Sequence, residues 1–190
     1  MKKGLEKFYD LVEAFESLPT IGKKSALRLA YHIVMNDSYS GIKIAHSIEN
    51  ALRNIKKCIK CGSMSEHEIC EVCLDDNRNK TKVCIVQSAK DIFIIEESKQ
   101  FDGLYFVIEE LAPESIDQML DFIKENLVKD VLFAITPSLS NDAFILFIED
   151  KLKNFSISFS KIAQGVPTGV SLENVDILSL AKAIQSKVDI

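Results

Sequence analysis

Four of the five cysteines fall within sixteen positions, as Cys58, Cys61, Cys70 and Cys73. The spacing is C-x₂-C, eight residues, then C-x₂-C. Each C-x₂-C turn can present two thiolates to one ion, and two such turns complete a tetrahedral Cys₄ set. With four sulfur ligands no position is left for water, and a closed set of this kind holds shape rather than performing chemistry. The expected ion is Zn²⁺, one per chain. Gly62 follows the second cysteine, where a tight turn lets backbone amides approach sulfur. His67 lies in the intervening loop and could compete as a ligand, but beside four cysteines it reads as a solvated loop residue. Disulfides are the weaker alternative. The chain shows no basic-then-apolar leader and no apolar run of membrane-spanning length, which points to the cytoplasm, where thiols stay reduced. Cys84 sits in the apolar run VCIV and reads as core.

The cysteine cluster divides two different periodicities. Before it the pattern is helical. Phe8, Leu11, Val12 and Phe15 recur at three- and four-residue intervals up to Leu18-Pro19. Ala26, Leu27, Leu29, Ala30, Ile33 and Val34 predict a second helix, and residues from about Ile42 to Ile55 a third. After the cluster, strands alternate with helices. Strands are expected at 83–86, 104–108, 131–135 and 155–159. Ser88 and Asp91 form a capping box for one intervening helix, Ser115 is the expected cap of SIDQMLDFIKEN, and Ser140 or Asn141 starts a helix to about Lys153. A β-α-β-α-β-α-β order implies an α/β fold with a parallel, doubly wound sheet and helices on both faces.

The stretch LPTIGKKSALRLA, residues 18–30, breaks one helix and starts another within a few residues. Such a hairpin leaves unpaired N–H groups at the positive end of the second helix, where a phosphate oxygen fits. Lys23, Lys24 and Arg28 add charge there, with Lys24 and Arg28 four apart on one face. Charge is unevenly spread along the chain. Residues 1–60 carry eleven Lys and Arg against six Asp and Glu, whereas the remainder carries twelve against twenty-two. A basic N-terminal third on an acidic body confines any nucleic-acid contact to that third. The alternative is an αα-hairpin with a solvated basic end.

L-P-x-I-G-x-K-S-A-x-R-L-A, then the four-cysteine cluster, then a strand–helix sheet ending in GVPTGVSLENVD, closely resemble the RecR family of bacterial recombination mediators. The resemblance covers nearly the whole chain in one order. It implies a helix-hairpin-helix DNA-binding region at 1–55, with Gly22, Lys23, Lys24 and Arg28 at the DNA, and a Cys₄ zinc finger at 56–80. It further implies a Toprim-like domain at 81–164 and a Walker-B-like segment with a C-terminal helix at 165–190. The implied function is not enzymatic. The family forms ring-like clamps, tetramers built from dimers, on single-stranded, duplex or gapped DNA without base specificity. With RecO-type and, in some bacteria, RecF-type partners it helps load RecA. In the family the loop after the third Toprim strand is associated with RecO contact, and here only Asp142 remains acidic in it. The apolar faces of the first helix (Phe8, Leu11, Phe15) and of the last (Ile177, Leu180, Ile184) are the expected ring interfaces or, alternatively, core within one chain.

The sequence departs from the family pattern in four places. Thr20 stands where the first hairpin glycine is usual, so strain is expected if φ is positive. Gln87 replaces the usual glutamate after the first Toprim strand. EELAPESI is shorter than the usual loop and lacks its glycine. Thr136-Pro137-Ser138 stand where Toprim enzymes place D-x-D. Magnesium needs carboxylate oxygens, so a Toprim-type nuclease or primase would lack its ligands. A zinc-ribbon adaptor that binds only protein is the other alternative, and Lys24 and Arg28 argue against it. In GVPTGVSLENVD, Glu173 and Asp176 could face a cation, but no G-x-x-x-x-G-K-[ST] loop exists to cradle nucleotide phosphates. A glycine-rich packing loop is the preferred reading of that segment.

Overall fold

The computed structural model describes residues 4–163 and 165–186, so the expected domain bounds at residues 1, 164 and 190 lie outside the described residues. The chain divides into two compact units, residues 1–55 and 56–190.

In the first unit, α1 (Glu6–Glu16) and α2 (Lys23–Tyr31) form an antiparallel hairpin. Val12, Ala26 and Ala30 are buried between them, with Phe8, Leu11, Phe15 and Ile21 packed around. The two alanines leave no bulk at the crossing, so the larger side chains of α1 close over them. Phe8, Leu11 and Phe15 thus serve the hairpin's own core. A π-type turn at His32–Asn36 leads to α3 (Ser38–Asn54). Asp37 caps α3 by accepting from the Ser40 N–H at 3.0 Å. No residue of α3 is buried. Its apolar residues face outward, with Leu52 80 % and Ile42 60 % exposed.

The turn of the hairpin is strained where the sequence suggested. Thr20 has φ +68°, a left-handed conformation that costs an L-residue about 1–2 kcal/mol. Replacing Thr20 by Gly is expected to stabilise this unit by about 1 kcal/mol, after allowing for the added freedom of the unfolded chain. Denaturant unfolding of the variant checks this. A less stable variant would show that the Thr20 side chain makes a compensating contact.

The second unit begins with a two-stranded antiparallel ribbon, β1 (Lys56–Lys57) and β2 (Met64–Ser65), followed by the short α4 (Glu71–Leu74). A four-stranded parallel sheet follows. It contains β3 (Asn79–Val86), β4 (Gly103–Val107), β5 (Asp130–Phe133) and β6 (Ser158–Lys161), in the order β4-β3-β5-β6. The connecting helices are α5 (Ala89–Ser98), α6 (Pro113–Glu125) and α7 (Leu139–Leu152). Successive residues of a strand point to opposite faces, and the two cores show this. Val83, Ile85, Leu104, Phe106, Val131 and Phe133 meet α6 and α7. Cys84, Val86, Tyr105 and Val107 meet Ile92 of α5. Helices on both faces make the sheet doubly wound, as the alternating pattern required. Cys84 is fully buried in the α5-side core, and burial pushes its thiol up to about 12.

Several local expectations shift. α6 starts at Pro113, at the first-turn position where proline's missing N–H is harmless, so Ser115 lies inside the helix rather than capping it. Ser138, not Ser140 or Asn141, caps α7 by accepting from the Asn141 N–H at 3.2 Å. Ser88 occupies the cap position of α5 but makes no side-chain cap bond, so the capping box is absent. The last strand is three residues later than FSISF. Phe155 and Ile157 instead pack onto the core from the turn after α7, which the Phe155 N–H closes on Leu152 O at 2.9 Å. Arg78 ties the edge strand down, donating to Glu96, to Phe101 O (3.4 Å) and to Gly103 O (3.2 Å). Tyr105 donates to the same Glu96 carboxylate, and the Arg78 guanidinium holds that carboxyl below its usual range. After β6 come a short 3₁₀ turn at Leu172–Asn174 and α8 (Ile177–Gln185). Among the described residues no helix is long and apolar enough to cross a membrane.

Candidate metal centre and nucleic-acid interface

Two tight turns bring the four cysteines together. The first is closed by Gly62 N–H donating to Cys58 O (2.9 Å) and Cys58 N–H to Ser63 O (2.7 Å). Gly62 has φ +76° and lies against Val107, whose Cβ would stand 3.3 Å from any added Cβ, so the position suits glycine alone. The second is the first turn of α4, where Leu74 N–H donates to Cys70 O (3.1 Å). The sulfurs of Cys58, Cys61, Cys70 and Cys73 all lie within 4.8 Å of one another, and those of Cys61 and Cys70 are 3.6 Å apart. Sulfurs at about 2.3 Å from a tetrahedral ion stand about 3.8 Å from each other, so the spacing fits one ion. Cys58, Cys61 and Cys70 are buried and Cys73 is half-buried. Left to themselves the thiols push each other's ionisation apart. The Cys61 S–H group and its neighbours hold Cys58 well below the usual thiol range, and the Cys58 thiolate and its neighbours push Cys73 well above it. A divalent cation removes that conflict, because all four can then ionise. These residues could hold a metal ion. His67 is exposed and outside the cluster.

The sulfur cluster is part of the sheet's core. Cys58, Cys61 and Cys70 belong to the same buried group as β3, β4, β5, α6 and α7. Val107 at the end of β4 donates its N–H to Cys61 O at 2.8 Å, and Lys57 pairs with Glu109 at 2.7 Å. Neither contact is visible in the cysteine spacing.

At the hairpin, Gly22 is the N-cap of α2 and offers no side chain, so the first amides of the helix lack an intrachain cap. Nothing lies within 4 Å of where a Gly22 Cβ would be. The end of the helix is therefore open to a large anion. Lys23, Lys24 and Arg28 are exposed, and none forms an ion pair among the described residues. Uncompensated cations beside an uncapped helix N-terminus are an arrangement suited to phosphate.

The C-terminal ends of the parallel strands carry a different chemistry. Gln87, after β3, donates through Nε2 to Asn141 Oδ1 at 2.9 Å, and Asn141 Nδ2 donates to Thr136 O at 2.7 Å. Neutral amides thus link the places where carboxylates would hold magnesium. Asp142 is paired with Lys161 at 3.4 Å. The sequence marks Asn141 only as a helix start, because its partner Gln87 is 54 residues away. In the segment 165–176, Asp176 caps α8, accepting from Ser179 N–H at 2.9 Å, and the Ser179 hydroxyl and amide hold its carboxyl low. Its carboxylate is thereby occupied with a cap, and Glu173 is exposed.

Comparison with known proteins agrees with this arrangement. The family model "RecR, helix-hairpin-helix" matches residues 8–52. A recombination protein RecR of Campylobacter jejuni (strain 81-176) is 53 % identical over 190 residues, covering 100 % of both chains. One from a Nitratiruptor species is 52 % identical over 190 residues, again covering 100 % of both chains. One from Helicobacter pylori (strain Shi470) is 43 % identical over 187 residues, 98 % of this chain and 97 % of that one.

Proposed function

The chain belongs to the RecR family of recombination proteins, and from that premise we propose that it is a non-enzymatic DNA-binding recombination mediator. In this reading it forms a ring-like clamp in the cytoplasm, at the nucleoid. With a RecO-type and, where present, a RecF-type partner it helps load RecA at gapped or single-stranded DNA. Residues 1–55 are the DNA-binding region, 56–80 the zinc finger, 81–164 the Toprim-like domain, and 165–190 the Walker-B-like segment with its helix. Cys58, Cys61, Cys70 and Cys73 would hold one structural Zn²⁺, which supplies no reaction step. Gly22, Lys23, Lys24 and Arg28 would meet phosphates, and Asp142 would lie at a partner contact.

The observation that carries the reading is the uncapped start of α2 beside three exposed cations without ion pairs. One such hairpin neutralises only a few phosphates. Several facing one DNA raise the effective concentration of each next contact, and avidity gains about 10²–10⁴-fold without new chemistry. The first unit also has apolar surface to cover in an oligomer. Ile44, Ile48 and Leu52, spaced by four along one side of α3, are exposed, as are Tyr31 and Met35 before it, and an exposed apolar stripe marks an interface. Phe8, Leu11 and Phe15 pack half-buried against the hairpin's own core, and α3 joins the face of α1 as an expected interface. The exposed Ile177 and Ile184 of α8 remain a second one. Light scattering over a concentration series, with and without gapped DNA, is expected to give a tetrameric mass. A strict monomer that binds DNA tightly at physiological salt would overturn the clamp.

The amide link from Gln87 through Asn141 to Thr136 supports the absence of catalysis, since it offers a cation no anionic ligand. Gapped DNA incubated with the protein and Mg²⁺ or Mn²⁺ is expected to remain uncut and unextended. Cleavage that disappeared with Asp142, Glu173 or Asp176 would defeat this part of the reading.

A further inference from the structure

Helix α7 is apolar on two sides. Phe144, Ile148 and Leu152 fill the core beneath it, while Leu139 and Leu146 stand outward, 92 % and 64 % exposed. A helix that is apolar around most of its girth is ordinarily covered around most of it. Beside α7 runs β6, the edge of the sheet. Ser158 and Ile162 donate their N–H groups to Lys129 O and Phe133 O, at 2.9 and 3.1 Å. By the alternation of a parallel strand, the N–H and C=O groups of Phe159 and Lys161 face away from the sheet. Between α7 and β6 lies a groove of about 440 Å³, lined by the apolar Ile145, Leu146 and Phe159 and by the charged Asp142, Glu149 and Lys161. Asp142 is already paired with Lys161. Glu149 is half-buried and has no ion pair among the described residues.

We propose that β6 and α7 form a docking surface for an extended segment of a partner protein. The segment adds as a strand to the β6 edge, sets apolar side chains at alternate positions in the groove, and brings a Lys or Arg to Glu149. Backbone groups left open at every second residue call for a strand. A single groove beside that edge takes the alternate side chains of one strand face. The unpaired carboxylate calls for a cation. With Asp142 neutralised by Lys161, the one uncompensated charge in the groove among the described residues is the Glu149 carboxylate, which opposes nucleic acid and, where two such edges meet about a two-fold axis, opposes its own copy. The inference rests on the proposed function only in placing a protein partner near Asp142.

The test uses the full-length protein and the labelled peptide TVTITKT, whose Val, Ile and Lys share one strand face, read by fluorescence anisotropy. Saturable binding is expected. It should weaken at least tenfold for TVTITET, for Leu146→Asp and for Glu149→Lys, and Glu149→Lys should recover binding with TVTITET. N-methylation of the peptide amides on the one edge that meets β6 should abolish binding, and methylation of the other edge should not. Circular dichroism and DNA binding check that the variants fold. Absent peptide binding, equal binding of both peptides, or indifference to N-methylation at both edges would overturn the proposal. A fall in the oligomeric mass of Leu146→Asp would overturn it in favour of a second copy. If Asp142→Lys weakens capture of a RecO-type partner while Leu146→Asp and Glu149→Lys do not, the partner reading stands and this surface falls.

Discussion

Reversing Lys24 and Arg28 to Glu is expected to lower affinity for gapped or duplex DNA by at least about a hundredfold at physiological salt, with the fold intact. Each phosphate contact contributes about 0.9 to the slope of log affinity against log salt. Losing two cations per hairpin should therefore flatten that slope by about 2 for every hairpin engaged. The replacement charges add repulsion at the same place. Both side chains are exposed and unpaired, so neither supports packing, whereas Ala26 and Ala30 on the buried side of α2 do. The loss should be the same for every base sequence, because phosphates carry none. Thermal unfolding should stay within a few degrees of the unaltered chain. Undiminished DNA binding in a folded double variant would remove the hairpin from the mechanism.

Removal of the metal is expected to have the larger effect on stability. Purified protein should contain one zinc per chain, and Cys61→Ser should lose it. A structural Zn²⁺ site contributes about 10–16 kcal/mol in small fingers, which is as large as the whole stability of an ordinary domain, about 5–15 kcal/mol. Here the loss cannot stay local. Cys58, Cys61 and Cys70 lie in the core shared with the sheet, and Cys61 O accepts the Val107 N–H at the end of β4. Hydrogen exchange at Val107 and Ile108 should rise sharply on chelation, and the melting temperature should fall by well over 10 °C, at about 2–4 °C per kcal/mol. A metal-free protein that melts unchanged would refute the structural role.

What the sequence determined by itself is what short-range pattern can encode. The C-x₂-C pairs brought Cys58, Cys61, Cys70 and Cys73 within 4.8 Å, because two residues between cysteines is the span of one turn. The switch from helical to alternating periodicity at the cluster marked the parallel sheet, since side-chain period follows backbone geometry. The turn at Thr20 was legible as strained because glycine's freedom at φ > 0 belongs to the residue itself. The tertiary structure decided what depends on residues distant in the chain. FSISF alternates like a strand, yet Phe155 and Ile157 pack from a turn and β6 forms three residues later, where the register with Asp130 to Phe133 places it. Phe8, Leu11 and Phe15 suit an interface or a core equally well, and only the approach of Ala26 and Ala30 packs them, half-buried, against a core. Gln87 and Asn141 meet across 54 positions, and the cysteine cluster rests on Val107. Local periodicity holds no record of such pairs, because their energy appears only when the chain has closed the loop between them.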